Sequence, residues 1–124
     1  MNTPKPFKLK MQTVPEKVVE NAILHYLWYR KIFAWKVQTV GLYDAKKGVY
    51  RRSANPFHLK GVADIMGVIP GGRALAIEAK SAVGRPSPEQ ILFIEKINAS
   101  GGLAFIARSV EDVEARLKLE GVIT

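Results

Sequence analysis

Two apolar runs, residues 62–69 and 74–79, stand either side of Pro70-Gly71-Gly72, and this arrangement limits the possible folds more than any other stretch of the chain. Each run has strand length and the Pro-Gly-Gly is a turn signal, so the pair reads as a hairpin. Each run also carries one acid among its apolar residues, Asp64 in the first and Glu78 in the second. Side chains alternate along a strand, so Glu78 and Lys80 share one face while Leu75, Ile77 and Ala79 point the other way into a core. A slight offset in the pairing brings Asp64 beside Glu78. A carboxylate in apolar surroundings is costly unless it is paired or holds a cation, and two adjacent ones repel each other. A divalent metal relieves both problems.

Composition narrows the chemistry. The chain has 124 residues, 48% of them hydrophobic, which suits one α/β domain over 14–124 after a flexible basic arm over 1–13. Nineteen Lys and Arg against eleven Asp and Glu give a formal charge of +8, favouring a polyanionic partner such as nucleic acid. There is no Cys, which excludes disulfides, thiolate zinc and cysteine nucleophiles, and His25 and His58 are too few for a histidine-based metal cluster. Oxygen ligands remain, and these suit Mg²⁺ or Mn²⁺. No apolar run approaches the roughly 20 residues that cross a bilayer, and the first ten residues lack the apolar core of a signal peptide, so a cytoplasmic protein without membrane contact is expected.

In chain order, Pro15 suits a first helical turn, and Val19, Ala22, Ile23, Tyr26 and Leu27 form the apolar stripe of a helix ending near Arg30-Lys31. Glu16 and Glu20 lie along one edge of that stripe, so either can lean toward the sheet, although a helical Glu is ordinarily just solvated. Residues 33–40 read as a strand. Residues 41–60 are polar, basic and broken by Gly41, Gly48 and Pro56, a long excursion in which Lys46, Lys47, Arg51, Arg52 and Lys60 are candidate phosphate contacts. Tyr43, Tyr50 and Phe57 are candidates for stacking on bases, or they cover the domain as part of a solvated hairpin. Arg85, in the loop after Lys80, is a further phosphate candidate. Ser87-Pro88-Glu89-Gln90 opens a second helix with the spacing of a capping box, and Ile91, Ile94 and Ile97 are expected to face the core. A short strand at 103–107 and a helix from Ser109 to about Leu119 complete the order α, β, β, β, α, β, α.

The order Asp64, then Glu78-Ala79-Lys80 across a hairpin, resembles the active-site signature of PD-(D/E)XK nucleases. Gly61-Val62-Ala63-Asp64, Pro70-Gly71-Gly72-Arg73, Ile77-Glu78-Ala79-Lys80 and Gly84-Arg85-Pro86-Ser87-Pro88-Glu89-Gln90 together resemble one branch, the virus-type replication-repair nuclease (VRR-NUC) domain. The likeness runs from near Glu16 to about Leu117. Ala63 departs from it, because the family often has Pro directly before the Asp. The resemblance implies a restriction-endonuclease-like core, a mixed sheet flanked by helices with the acids on one rim. It also implies that Asp64 and Glu78, with the Ala79 carbonyl and a first-helix acid, hold Mg²⁺ or Mn²⁺. Glu20-Asn21-Ala22-Ile23 followed by Leu27 fits the family spacing for that acid, so Glu20 is the first choice and Glu16 the second. Gln90 belongs to the active-site neighbourhood in the family, whereas its capping role alone also explains a Gln there.

The expected function is therefore a metal-dependent, structure-selective DNA endonuclease resembling a Holliday junction resolvase, with Asp64, Glu78, Lys80, Glu20 and Gln90 as catalytic residues. A homodimer on branched DNA is expected, since one chain carries a single acid set and two-fold symmetry supplies the second. Trp28, Tyr29, Tyr43, Tyr50 and Phe57 are candidate contact surface. The alternatives are a basic DNA-binding accessory protein without catalysis and a monomeric flap-type nuclease. A DNA-repair role and a phage source accompany the resemblance.

Overall fold

The protein is described here from a computed structural model covering residues 13–38, 42–44, 49–51 and 56–124, with backbone alone for 42–44 and 49–51. Helix α1 (Glu16–Tyr29) starts directly after Pro15, whose carbonyl accepts from the amides of Val18 and Val19. Its stripe of Val19, Glu20, Ile23 and Leu27 is buried. The helix stops where Lys31 adopts a left-handed backbone at φ 59°, letting the Ile32 amide reach back to the Leu27 carbonyl. Strand β1 (Phe33–Lys36) follows at once.

Short strands β2 (Leu42–Asp44) and β3 (Val49–Arg51) pair with each other in a separate two-stranded ribbon. Strands β4 (Ile65–Ile69) and β5 (Arg73–Ala79) form the expected hairpin, turned at Gly71 and Gly72, both at positive φ. Helix α2 (Pro88–Ala99) then crosses over to strand β6 (Leu103–Ala107), and helix α3 (Val110–Leu119) closes the order. Ser109 caps α3 by accepting from the Asp112 amide at 3.1 Å.

The main sheet runs β1-β4-β5-β6, antiparallel except for the β5–β6 pair, which the α2 crossover makes parallel. One face, with Ile65, Leu75, Ile77, Ala79 and Phe105, packs on α1 and α3 through Ile23, Leu27, Val113 and Leu117. The other face carries Ala76 and Ala104 against Phe93 of α2, with Met66, Ile94 and Ile97 around them. The fold is thus an α/β sheet with helices on both faces, matching a restriction-endonuclease-like core in the order of its main-sheet strands and helices.

Several boundaries differ from the sequence reading. β4 begins at Ile65, three residues later than the apolar run suggests, because Asp64 sits in a bend before it. β1 ends at Lys36 rather than at 40. Ala22 and Ile91 are exposed; Leu24 and Phe93 take the core places expected for them, since each helix is rotated slightly from the phase its apolar residues suggest. Of the basic arm over 1–13 only Thr13 is described, and Val40, Lys46, Lys47 and Arg52 lie outside the described residues. Arg51, Tyr43 and Tyr50 fall in β3 and β2, where the backbone alone is described.

Candidate metal centre

The β4–β5 register places Ile65 opposite Ile77, so Asp64 is set directly opposite Glu78 with no offset. Asp64 does not continue the strand. Its Oδ2 accepts from the Ala79 amide at 3.1 Å, replacing a ladder hydrogen bond with one to a carboxylate, while its own carbonyl accepts from Val37 at 2.7 Å. That exchange ends the β4–β5 ladder and fixes the carboxylate at the end of the strands. Glu78 stays on the α2 face and is 1% exposed. The sequence rule that Glu78 and Lys80 lie on one face, with Leu75, Ile77 and Ala79 on the other, holds in the structure.

The third acid comes from α1. Glu16, Asp64 and Glu78 each offer a carboxylate oxygen, and the three oxygens lie within 4.8 Å of one another. The first-choice acid, Glu20, is not in this group. One helical turn further on, it is buried and its Oε1 lies 3.3 Å from Lys36 Nζ, an ion pair without hydrogen-bond geometry. Position along the helix axis, not helical phase, explains the difference. Glu20 sits beneath the sheet edge next to β1, whereas Glu16, in the first turn, reaches past the strand ends.

Lys80 follows β5, and its amide donates to the Ala107 carbonyl at 3.0 Å, prolonging the β5–β6 pairing by one residue. Its Nζ lies 3.5 Å from Glu78 Oε1 and 3.9 Å from Glu16 Oε1, with the side chain largely buried. The loop after it is held from β6's side. The Arg108 guanidinium donates to the carbonyls of Ser81 and Gly84, the latter at 2.7 Å. Nothing in the sequence marks Arg108 for this role, since its partners are backbone atoms more than twenty positions away.

Gln90 satisfies both readings of it at once. Its Oε1 accepts from the Ser87 amide at 2.9 Å and its backbone amide donates to Ser87 Oγ at 3.1 Å, a complete capping box. Because the oxygen is committed to an N–H, the Nε2 end must face the other way, where it donates to Glu78 Oε1 at 2.9 Å. Gly61 makes the approach possible. It has φ 74°, and a Cβ there would lie 2.4 Å from the Glu89 carbonyl carbon and 2.5 Å from the Gln90 nitrogen. The chain entering Asp64 therefore passes against the first turn of α2; Lys60 immediately precedes Gly61 and Arg85 lies just before the helix, and both are exposed.

The electrostatics follow from this packing. Burial pushes the Glu78 carboxyl up to about 8; the neighbouring Asp64 carboxylate adds to the rise, and Lys80 opposes it. Glu78 Oε2 is buried without a hydrogen-bond partner. Two ionised carboxylates have no proton to share, so this atom is satisfied either by a proton or by a cation. An oxygen-only donor set with one unsatisfied buried oxygen fits a divalent cation of the Mg²⁺ or Mn²⁺ type.

Ala79 meets the site through its amide, and its methyl belongs to the opposite face. Phe57 is exposed, as are Trp28 and Tyr29. Among the described residues no helix is long and apolar enough to cross a membrane. Comparison of the chain with family models, with curated proteins and with solved structures gives no match.

Proposed function

We propose that this protein is a Mg²⁺- or Mn²⁺-dependent endonuclease that hydrolyses phosphodiester bonds in branched DNA, as its resemblance to VRR-NUC domains implies. The observation that carries the reading is the convergence of Glu16, Asp64 and Glu78 within 4.8 Å, beside Lys80 and with a buried Glu78 oxygen lacking a partner. Asp64, Glu78 and Glu16 would hold the cation, together with the Ala79 carbonyl; Glu20 is retained as a neighbour that fixes Lys36. When bound, such a cation polarises the scissile phosphate and acidifies water.

The chain's own residues do the rest. Gln90 orients Glu78 by its amide hydrogen bond, leaving Oε2 free to turn toward the cluster. Lys80, within 4 Å of two of the acids, orients the attacking water and offsets the negative charge that develops on the phosphate. Asp64 is fixed through Oδ2 by the Ala79 amide, which leaves Oδ1 for the cation. Lys60 and Arg85, exposed beside the α2 start, contact flanking phosphates, and Arg51, Arg52, Lys46 and Lys47 are carried in the proposal from their sequence alone.

Two copies of the chain supply the two incisions that a four-way junction needs, with Trp28 and Tyr29, 80% and 77% exposed, as apolar surface for the contact. The experiment is a panel of flap, splayed-arm, duplex and four-way-junction substrates incubated with Mg²⁺. Preference for the junction, with paired incisions, supports the resolvase reading; equal cutting of all four contradicts it.

A further inference from the structure

Among the described residues, the α2 side of the sheet is only half covered. Helix α2 lies over β5 and β6, with Phe93 against Ala76 and Ala104 and Met66 at its margin, so β1 lies beyond the helix. Trp35 pairs with Met66 and Phe33 with Val68, so both rings stand on this side, while Ala34 between them packs on the opposite core. Phe33 is 70% exposed, Trp35 43% and Val68 44%, and the two rings meet edge to face with centroids 5.2 Å apart. This is the same face that carries Glu78. Counting along the ladder, Trp35 is in the row of Met66 and Ala76, one side-chain repeat from Glu78, or roughly 12 Å from it at ordinary strand spacing.

We propose that Phe33 and Trp35 are a stacking platform for the bases of an unpaired DNA strand that passes the metal centre. The inference rests on the nuclease reading for its substrate and specifies the substrate class: the site takes a strand whose bases are unstacked within a nucleotide or two of the scissile phosphate. A chain of formal charge +8 attracts a polyanion, and an exposed aromatic pair beside the phosphate-cleaving acids offers a surface for the bases that accompany those phosphates. Every base has a π-face, so such a platform tolerates any sequence. A second copy of the chain is a poorer occupant. The three side chains offer roughly 300 Å² of apolar surface, judged from what aromatic residues present, against about 800 Å² per partner in a stable interface.

The test compares binding of an oligothymidylate of roughly twelve nucleotides with that of an abasic strand carrying the same phosphates, by fluorescence anisotropy of the full chain in EDTA. The wild type is expected to favour the base-bearing strand by about tenfold or more. Phe33→Ala with Trp35→Ala should remove the preference while leaving affinity for the abasic strand and its salt dependence intact; Trp35→Leu should lose most of it, and Trp35→Phe should keep it. Equal binding of the two strands by the wild type overturns the proposal, as does a preference that survives the double variant or disappears in Trp28→Ala instead. A dimer mass lost in the double variant would assign the face to a second copy and equally overturn it. Because no metal is present, failure here leaves phosphodiester hydrolysis standing, and failure of hydrolysis leaves the base preference measurable.

Discussion

The side-chain amide of Gln90 joins the start of α2 to Glu78: its oxygen accepts from the Ser87 amide at 2.9 Å while its nitrogen donates to Glu78 Oε1 at 2.9 Å. One residue therefore caps a helix and orients an acid. Gln90→Glu separates the two roles, because a carboxylate still accepts from Ser87 but cannot donate to Glu78 and adds a like charge beside it. Cleavage should fall by about 10- to 100-fold, the worth of a hydrogen bond to a charged group, with little change in melting temperature. Gln90→Leu should lose both activity and the roughly 1 kcal/mol of the cap. Equal activity of wild type and Gln90→Glu would leave Gln90 a cap only.

Glu16, not Glu20, shares the cluster with Asp64 and Glu78. Titration of Mn²⁺ by calorimetry should show Glu16→Gln weakening affinity by about 10-fold or more, and Glu20→Gln changing it less. Glu20→Gln should act on the fold instead, since it leaves Lys36 without its buried partner. The reverse ranking would return the first-helix role to Glu20.

The raised pKa of Glu78 fixes the sign of the pH response. The buried carboxyl is neutral in the folded protein up to about 8, whereas unfolded it ionises near 4.5. Its contribution to stability is complete below 4.5 and is lost as pH rises through 8. A bound cation favours the ionised form, so binding expels a proton within that window and tightens with rising pH. The gain in melting temperature from Mn²⁺ should be larger at pH 8 than at pH 6. A gain independent of pH would remove Glu78 from the ligand set.

Gly61→Ala puts a methyl group against the Glu89 and Gln90 backbone at a residue with φ 74°. Both the left-handed conformation and the clash count against it, for a loss of about 2–4 kcal/mol in denaturant unfolding. Activity should suffer more than stability explains, because the change pushes α2, and Gln90 with it, away from Glu78. A loss below 1 kcal/mol would show that the two segments part easily.

Asp64 and Glu78 were legible because each interrupts an apolar run, and only an unusual role explains a charge there. Gln90 was legible twice over, through its spacing from Ser87 and through its place in the resemblance. The choice between Glu16 and Glu20 was not, since both lie on one edge of the α1 stripe and sequence periodicity does not say how far a helix extends past the strand ends. Ile91 and Phe93 show the same limit: α2 turns Phe93 inward, and a count of isoleucines does not reveal that rotation. Gly61 and Arg108 depend on backbone partners distant in sequence, for which no local pattern exists. The half-covered sheet was hidden for a related reason, because Phe33 and Trp35 read as ordinary strand residues until the position of α2 is known.

The most direct test of the central claim is cleavage of a labelled four-way junction by the wild type and by Asp64→Ala, with Mg²⁺ or EDTA, alongside binding of the same DNA. Mg²⁺-dependent incision is expected from the wild type and none from Asp64→Ala or in EDTA, with the DNA affinity of Asp64→Ala within a few-fold of wild type, since phosphate contacts dominate binding. Undiminished cleavage by Asp64→Ala, or no metal-dependent cleavage of any DNA by the wild type, would contradict it.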